Sequence, residues 1–225
     1  MTEKPGIPTK DKTRIFLVDD HHILRMGLSQ LINHEEDLIV CGEAEDCEEG
    51  AIGIAEKVPD VAIIDISLGK DDGLKLIKNI RVKNPALIIL VLSMHEEDIY
   101  AERALRAGAR GYIMKREAAE TVIMAIRKVM RGDIYLSGTM SEKLLSRIFN
   151  AKANEFGQDM GCLSDRELQV FELIGNGWST KEIAEKLGLS IKTIETYREK
   201  IKIKLRLNDS SELLRQAIRK THKSK

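Results

Sequence analysis

Between Arg14 and about residue 131 the chain alternates two patterns. Short runs of continuous apolar residues, RIFLVD, LIVCGEA, DVAIIDI, ALIILVLS and RGYIM, are rich in Ile, Val and Leu. That length and composition suit strands buried on both faces. Between them lie the stretches 22–34, 46–57, 72–83, 96–107 and 117–131. Their apolar residues recur at helical spacing, as Val122, Ile123, Ile126 and Val129 do on one face. Strands that each feed a helix build a parallel sheet with helices on both sides. The pattern therefore predicts a doubly wound α/β domain with a five-stranded parallel sheet.

After GDIYLSG the strand pattern stops. Residues 138–160 hold one short helical stretch, SEKLLSRIFN, and then the polar AKANEFGQDMG, the composition of a linker. From Leu163 the pattern is purely helical. Ser164-x-x-Glu167, Ser179-x-x-Glu182 and Asp209-x-x-Glu212 have capping-box spacing or its Asp variant, and so mark helix starts. The predicted organisation is an α/β domain over 12–137, a linker with a short helix over 138–160, and an all-α domain of four helices over 161–222.

Charge separates the two domains further. The whole chain is neutral, with 36 basic and 36 acidic residues, but residues 161–225 hold 14 Lys and Arg against 9 Asp and Glu. The rest is acidic by the same margin. A basic half suits a polyanionic partner. No apolar window approaches the roughly 18 residues of a membrane span, and the N-terminal stretch MTEKPGIPTKDKTR is too polar for a signal peptide. Three cysteines, Cys41, Cys47 and Cys162, form no C-x-x-C pair. A cytoplasmic location with reduced thiols and no membrane association is expected.

In an open parallel sheet, sites form at the carboxyl ends of the strands. Those ends are unusual here. The first strand runs into Asp19 and Asp20, the third into Asp65, the fourth into Ser93 and the fifth into Lys115. Three carboxylates brought together repel unless a cation intervenes. A hard divalent ion with oxygen ligands, Mg²⁺ above all, resolves the conflict. With that ion and Lys115 present, one carboxylate can act as a nucleophile toward phosphorus. Asp65, alone at its strand end, is the candidate; Ser93 and Lys115 are placed to bind the phosphoryl oxygens. His21 and His22 could be ligands beside the acids, but histidines at the start of a helix are more often surface residues, and no zinc site is expected.

These marks, together with ISLGKDDG, Gly73 eight residues after Asp65, and GYIMK, resemble the receiver domain of two-component response regulators over residues 12 to 135. The resemblance implies the strand order 2-1-3-4-5. It also implies that Asp65 takes phosphate from a histidine kinase, with Ser93 and Lys115 completing the catalytic set. Asp19, Asp20, Asp65 and the backbone carbonyl of Ser67 would hold Mg²⁺. Tyr112, by itself a partly exposed strand aromatic, corresponds to the residue that turns inward when the hydroxyl of Ser93 moves toward phosphate. Where the family usually carries proline, four residues after the acceptor, this chain has Gly69, so a less rigid loop is expected. Phosphatases that pass through an aspartyl-phosphate typically carry a second aspartate two residues on, where Ser67 stands; an enzyme acting on a separate substrate is therefore not expected.

In the basic half, a helix over Thr180 to Leu187 and another over Ile191 to Leu205 are joined by GLS. Ile183, Ala184, Leu187, Ile194, Ile201 and Leu205 fall inward, which leaves a polar, basic outer face on the second helix. This is the helix-turn-helix pattern. Leu163, Arg166, Glu167, Val170, Gly177, Ser179, KEIA, Leu187, Thr193, Ile194 and Tyr197 resemble the DNA-binding domain of LuxR and NarL regulators. That resemblance puts the second helix in the major groove of promoter DNA. Glu195, Thr196 and Glu199 would face base edges, with Lys192, Arg198 and Lys200 nearer phosphates. It implies a phosphorylation-controlled transcriptional regulator that acts as a homodimer.

Overall fold

The structure is a computed structural model and describes residues 12–69, 71–117, 119–149 and 160–221. It divides into two compact units, Met1–Ser141 and Glu142–Lys225.

The first unit begins with β1 (Thr13–Val18), α1 (His22–His34), β2 (Leu38–Ala44), α2 (Cys47–Lys57) and β3 (Val61–Ile64). A small hairpin, β4 (Ser67–Leu68) and β5 (Asp71–Asp72), precedes α3 (Gly73–Lys83), β6 (Ile88–Ser93), α4 (Glu97–Ala107), β7 (Gly111–Met114) and α5 (Ala119–Met130). The main sheet has the order β2-β1-β3-β6-β7, with every pairing parallel. This is the doubly wound arrangement the apolar runs predict. Alternation along β1 shows how both faces are filled. Ile15 and Leu17 join a core with Leu28 and Ile32 of α1 and Ile126 and Val129 of α5, while Phe16 and Val18 face α2.

Helix ends follow local chemistry. Asp46 caps α2 by accepting from the Glu49 N–H at 2.8 Å, and Asp72 caps α3 by accepting from the Leu74 N–H at 2.9 Å. Helix α6 (Gly138–Phe149) starts earlier than the apolar spacing of SEKLLSRIFN suggests, and the boundary between the units falls inside it. The polar remainder of the expected linker, 150–159, lies outside the described residues.

Among its described residues the second unit has helices and no strand: after the end of α6 come a short 3-10 turn (Met160–Cys162), α7 (Asp165–Gly175), α8 (Thr180–Leu187), α9 (Ile191–Leu205) and α10 (Ser210–Thr221). Full capping boxes open α7 at Ser164 and Glu167 and α8 at Ser179 and Glu182. Leu168, Phe171, Ile183, Ile194, Ile201 and Leu213 form its buried interior. No helix among the described residues is long and apolar enough to cross a membrane.

Candidate functional site

The backbone itself carries the acids to one rim. Asp19 follows β1 and its N–H donates to the Ala44 carbonyl at 3.1 Å; Asp65 follows β3 and its N–H donates to the Val18 carbonyl at 2.9 Å. The register pairs Val18 with Ile64 and Ile64 with Val91, so the strand ends lie level. Lys115 follows β7, with its N–H on the Ser93 carbonyl at 2.8 Å. Helix α3 starts hard against this rim, and Gly73 permits it. A Cβ there would fall 2.2 Å from the carbonyl oxygen of Asp65, so no other residue fits without moving the strand end.

The side chains converge as the backbone directs. Lys115 Nζ lies 2.7 Å from Asp19 Oδ2 and 2.6 Å from Asp65 Oδ2, and the three side chains are 3%, 5% and 1% exposed. Burial pushes the Asp65 carboxyl above its ordinary range, although Lys115 pulls it down. Asp20 joins the cluster, since candidate ligand atoms of Asp19, Asp20, His21 and Asp65 all lie within 4.8 Å of one another. Among the described residues of this cluster, the carboxylates outnumber the one lysine that bridges two of them. That imbalance, with oxygen-rich donors, fits a hard divalent cation.

Two further neighbours bear on this pocket. The His21 side chain is largely exposed, as expected, yet its Nδ1 is 2.8 Å from Asp20 Oδ1 and 3.3 Å from Asp19 Oδ1. It is therefore both a surface residue and a neighbour of the acids, the two readings its position left open. Arg25, buried on α1, donates to the Asp19 carbonyl and places its Nε 3.3 Å from Glu43 of β2. It pins the β1–α1 turn from behind.

Ser93 is fully buried and accepts the His95 N–H at 3.2 Å. Tyr112 is 1% exposed, not the partly exposed aromatic its place in the sequence suggests, because its ring fills the interior and its hydroxyl donates to the His95 carbonyl at 2.8 Å. The Ser67 hydroxyl is 2.5 Å from His95 Nε2. Three expected site residues thus meet at His95, which no periodicity or motif singles out.

In the second unit α9 presents its outer face as expected. Lys192, Glu195, Thr196, Glu199 and Lys200 are exposed and Arg198 is half-buried. Glu199 is paired with Lys202 at 2.9 Å, and the Thr196 hydroxyl donates to the Lys192 carbonyl at 2.9 Å. The pairing offsets the charge of one of the two acids on this face. Beneath it Glu167 accepts from Lys204 Nζ at 2.6 Å and from the Ser164 N–H at 2.7 Å, tying α9 to the start of α7. Burial alone would raise Glu167, but those hydrogen bonds outweigh it and hold the carboxyl below its ordinary range.

A rim of buried acids with one lysine, followed by a helix-turn-helix, defines a two-domain regulator. Residues 15–127 match the family described as response regulator receiver domain, and residues 162–217 match the bacterial regulatory proteins of the luxR family. The chain belongs to the LuxR-type two-component response regulators and is a phosphorylation-dependent, DNA-binding transcriptional regulator. Among its relatives, the oxygen regulatory protein NreC of Staphylococcus carnosus (strain TM300) is 36% identical over 211 residues, 92% of this chain and 97% of NreC. NreC of Staphylococcus aureus (strain JH9) is 35% identical over 215 residues, with the same coverage. Among solved structures, RcsB of Salmonella enterica serovar Typhimurium bound to the promoter P1flhDC with the phosphomimetic BeF₃⁻ superposes with a TM-score of 0.64 at 29% identity. That likeness covers 92% of this chain and 98% of RcsB.

Proposed function

We propose that Asp65 is the phosphoryl acceptor, served by Ser93 and Lys115, and that a histidine kinase is the donor. The observation that carries this reading is the bridge from Lys115 to both Asp19 and Asp65 inside a buried rim. An Asp65 oxygen attacks the phosphorus of the donor's phosphohistidine. The phosphorus–nitrogen bond breaks and the imidazole leaves with the electron pair. Lys115 exchanges part of its carboxylate pairing for a phosphoryl oxygen, and the Ser93 hydroxyl donates to another. Asp19, Asp20, Asp65 and the Ser67 backbone carbonyl would hold Mg²⁺, which when bound neutralises phosphoryl charge.

Output runs through α9. Set in the major groove, it would bring Glu195, Thr196 and Glu199 to base edges and Lys192, Arg198 and Lys200 to phosphates. Phosphorylation would shift Ser93 and Tyr112 about the His95 backbone and bias the population toward a DNA-binding homodimer. RcsB, similar over nearly its whole length, is seen bound to promoter DNA and as dimers on DNA, which supports this reading.

The test is intact-protein mass after incubation with acetyl phosphate and Mg²⁺, for the wild type and Asp65→Asn. The expected result is one phosphoryl adduct that requires the metal and vanishes in the variant. An adduct that survives in Asp65→Asn would assign the chemistry to another carboxylate.

A further inference from the structure

Gly69 stands where the resemblance leads one to expect proline, and its conformation is one proline cannot adopt. Its φ is +59°, in the left-handed region, whereas the proline ring fixes φ near −65°. Its N–H donates to Asp20 Oδ2 at 3.0 Å, a hydrogen bond across 49 positions of sequence that proline has no hydrogen to make. The residue sits at the end of β4, whose antiparallel pairing of Ser67 with Asp72 and Leu68 with Asp71 shapes the hairpin. The loop is therefore tied to the rim, and the expectation of mere loosening is replaced by a different kind of restraint.

The bond has a consequence for Asp20. With Oδ2 taken by Gly69, the other oxygen, Oδ1, lies 2.8 Å from His21 Nδ1, which is itself 3.3 Å from Asp19 Oδ1. Oδ1 thus lies on the side of His21, which joins it to Asp19. Asp20 is the most exposed carboxylate of the three, its side chain 32% accessible, so it has the greatest rotational freedom to lose. Ligating carboxylates held by an outer hydrogen bond bind metal more tightly than ones that must be ordered on binding. We propose that Gly69 is a positioning residue of this pocket: its backbone N–H aims the Asp20 carboxylate at the cation and takes over the restraint that proline gives relatives by rigidity. The inference rests on the reading of Asp20 as a metal ligand.

Substitution at this position isolates the backbone effect, because a Cβ built on Gly69 meets nothing within 4 Å. Pro removes both the N–H and the left-handed φ. Ala keeps the N–H but resists the φ; Asn keeps the N–H and tolerates that φ. The experiment is a titration of the ¹⁵N-labelled full chain with MgCl₂, followed by NMR shifts of the rim amides. Thermal melts accompany it, to show that each variant folds. Mg²⁺ affinity is expected to fall about 10- to 100-fold in Gly69→Pro. In Gly69→Ala it should fall about tenfold, and in Gly69→Asn it should recover to within about threefold of wild type. On the same ion-free sample, the Gly69 amide should exchange slowly with solvent, and faster in Asp20→Ala. Equal Mg²⁺ affinity in the wild type and folded Gly69→Pro would overturn the inference alone, as would a Gly69 amide indifferent to Asp20→Ala. A wild type that binds no Mg²⁺ would overturn the metal reading of the pocket, and the inference with it.

Discussion

Lys115 and Lys200 are both cations proposed to meet phosphate, but they occupy opposite environments. The Lys115 side chain is 3% exposed and lies within 2.7 Å of two carboxylates; Lys200 stands in water on the outer face of α9. Interactions between charges are strong where water is excluded and weak where it is not. The rim of the sheet should thus behave as one coupled unit, and the face of α9 as a row of nearly independent contacts. A switch needs the first property, since one added charge must move several groups. A surface that tracks a polyanion is served by the second.

The largest expected effect comes from Lys115→Met, which leaves Asp19 and Asp65 facing each other without their shared cation. Phosphoryl uptake from acetyl phosphate should fall on the order of 10²- to 10³-fold, read as the initial rate of adduct formation. A double-mutant cycle of Lys115→Met with Asp19→Asn, scored by thermal stability, should show a coupling of about 0.5–3 kcal/mol. The parallel cycle, Lys192→Ala with Lys200→Ala, is scored by DNA affinity. Those residues are about 12 Å apart along the helix axis, so their effects should add to within about 0.5 kcal/mol. Comparable couplings in the two cycles would abolish the distinction.

A middle case sharpens it. Glu167 is buried like Asp19 and Asp65 but pairs with Lys204, whose side chain is 38% exposed. Its carboxyl is held below the ordinary range, so it binds fewer protons folded than unfolded between the two values. Its stabilising contribution is therefore full above the unfolded glutamate value of about 4.3 and is lost as pH falls through the folded one. The helical unit should melt earlier at pH 3.5 than at pH 7, and Glu167→Gln should shrink that difference. An unchanged pH dependence in Glu167→Gln would remove the pair as its source.

These sites differ in how they could be read from sequence, and for related reasons. The rim was legible because strands of continuous Ile, Val and Leu end abruptly in Asp19, Asp65, Ser93 and Lys115, and parallel topology brings strand ends together. The inward positions of the helix-turn-helix were legible from spacing: Ile183, Ala184, Leu187, Ile194, Ile201 and Leu205 are all buried. What escaped was non-local or aperiodic. A hairpin of two-residue strands has no period to detect. The hydrogen bond from Gly69 to Asp20, the approach of Lys115 to His21 at 3.4 Å, and the meeting of Ser67, Ser93 and Tyr112 at His95 join residues far apart in the chain or lie on backbone atoms. No local pattern encodes such contacts. The Glu199–Lys202 pair, three residues apart on a helix, is the kind of contact spacing does encode.

On the exposed face the expected effects are smaller and divide by role. Lys200→Ala should weaken binding to every DNA sequence alike and reduce the slope of log affinity against log salt by about one. Glu199→Gln should strengthen binding only slightly, because Lys202 already offsets that charge. A sequence-selective loss from Lys200→Ala, measured on a panel of duplexes, would move that residue from the phosphates to the bases.

A local effect of another kind tests the scaffold beneath that face. Ser179 opens α8 with a capping box: its hydroxyl accepts the Glu182 N–H at 3.3 Å, and its own N–H donates to Glu182 Oε2 at 2.8 Å. Hydrogen bonding from the Ser179 side chain, and then from its backbone N–H, holds the Glu182 carboxyl below its ordinary range. Ser179→Ala keeps the N–H that reaches back to Glu182 but loses the hydroxyl, so only half of the box goes. Cap losses of this kind cost about 1 kcal/mol, which for a unit of this size lowers the melting temperature by roughly 4–8 °C. The helical unit alone should carry that shift, read by calorimetry as the movement of one transition. Phosphoryl uptake at Asp65 should stay at the wild-type level. DNA affinity should change little at 25 °C, since α9 is packed through Ile194, Ile201 and Leu205 rather than through the cap. A large loss of DNA affinity at full foldedness would mean that the Ser179 hydroxyl itself touches DNA. The basic face would then extend beyond α9 to the start of α8.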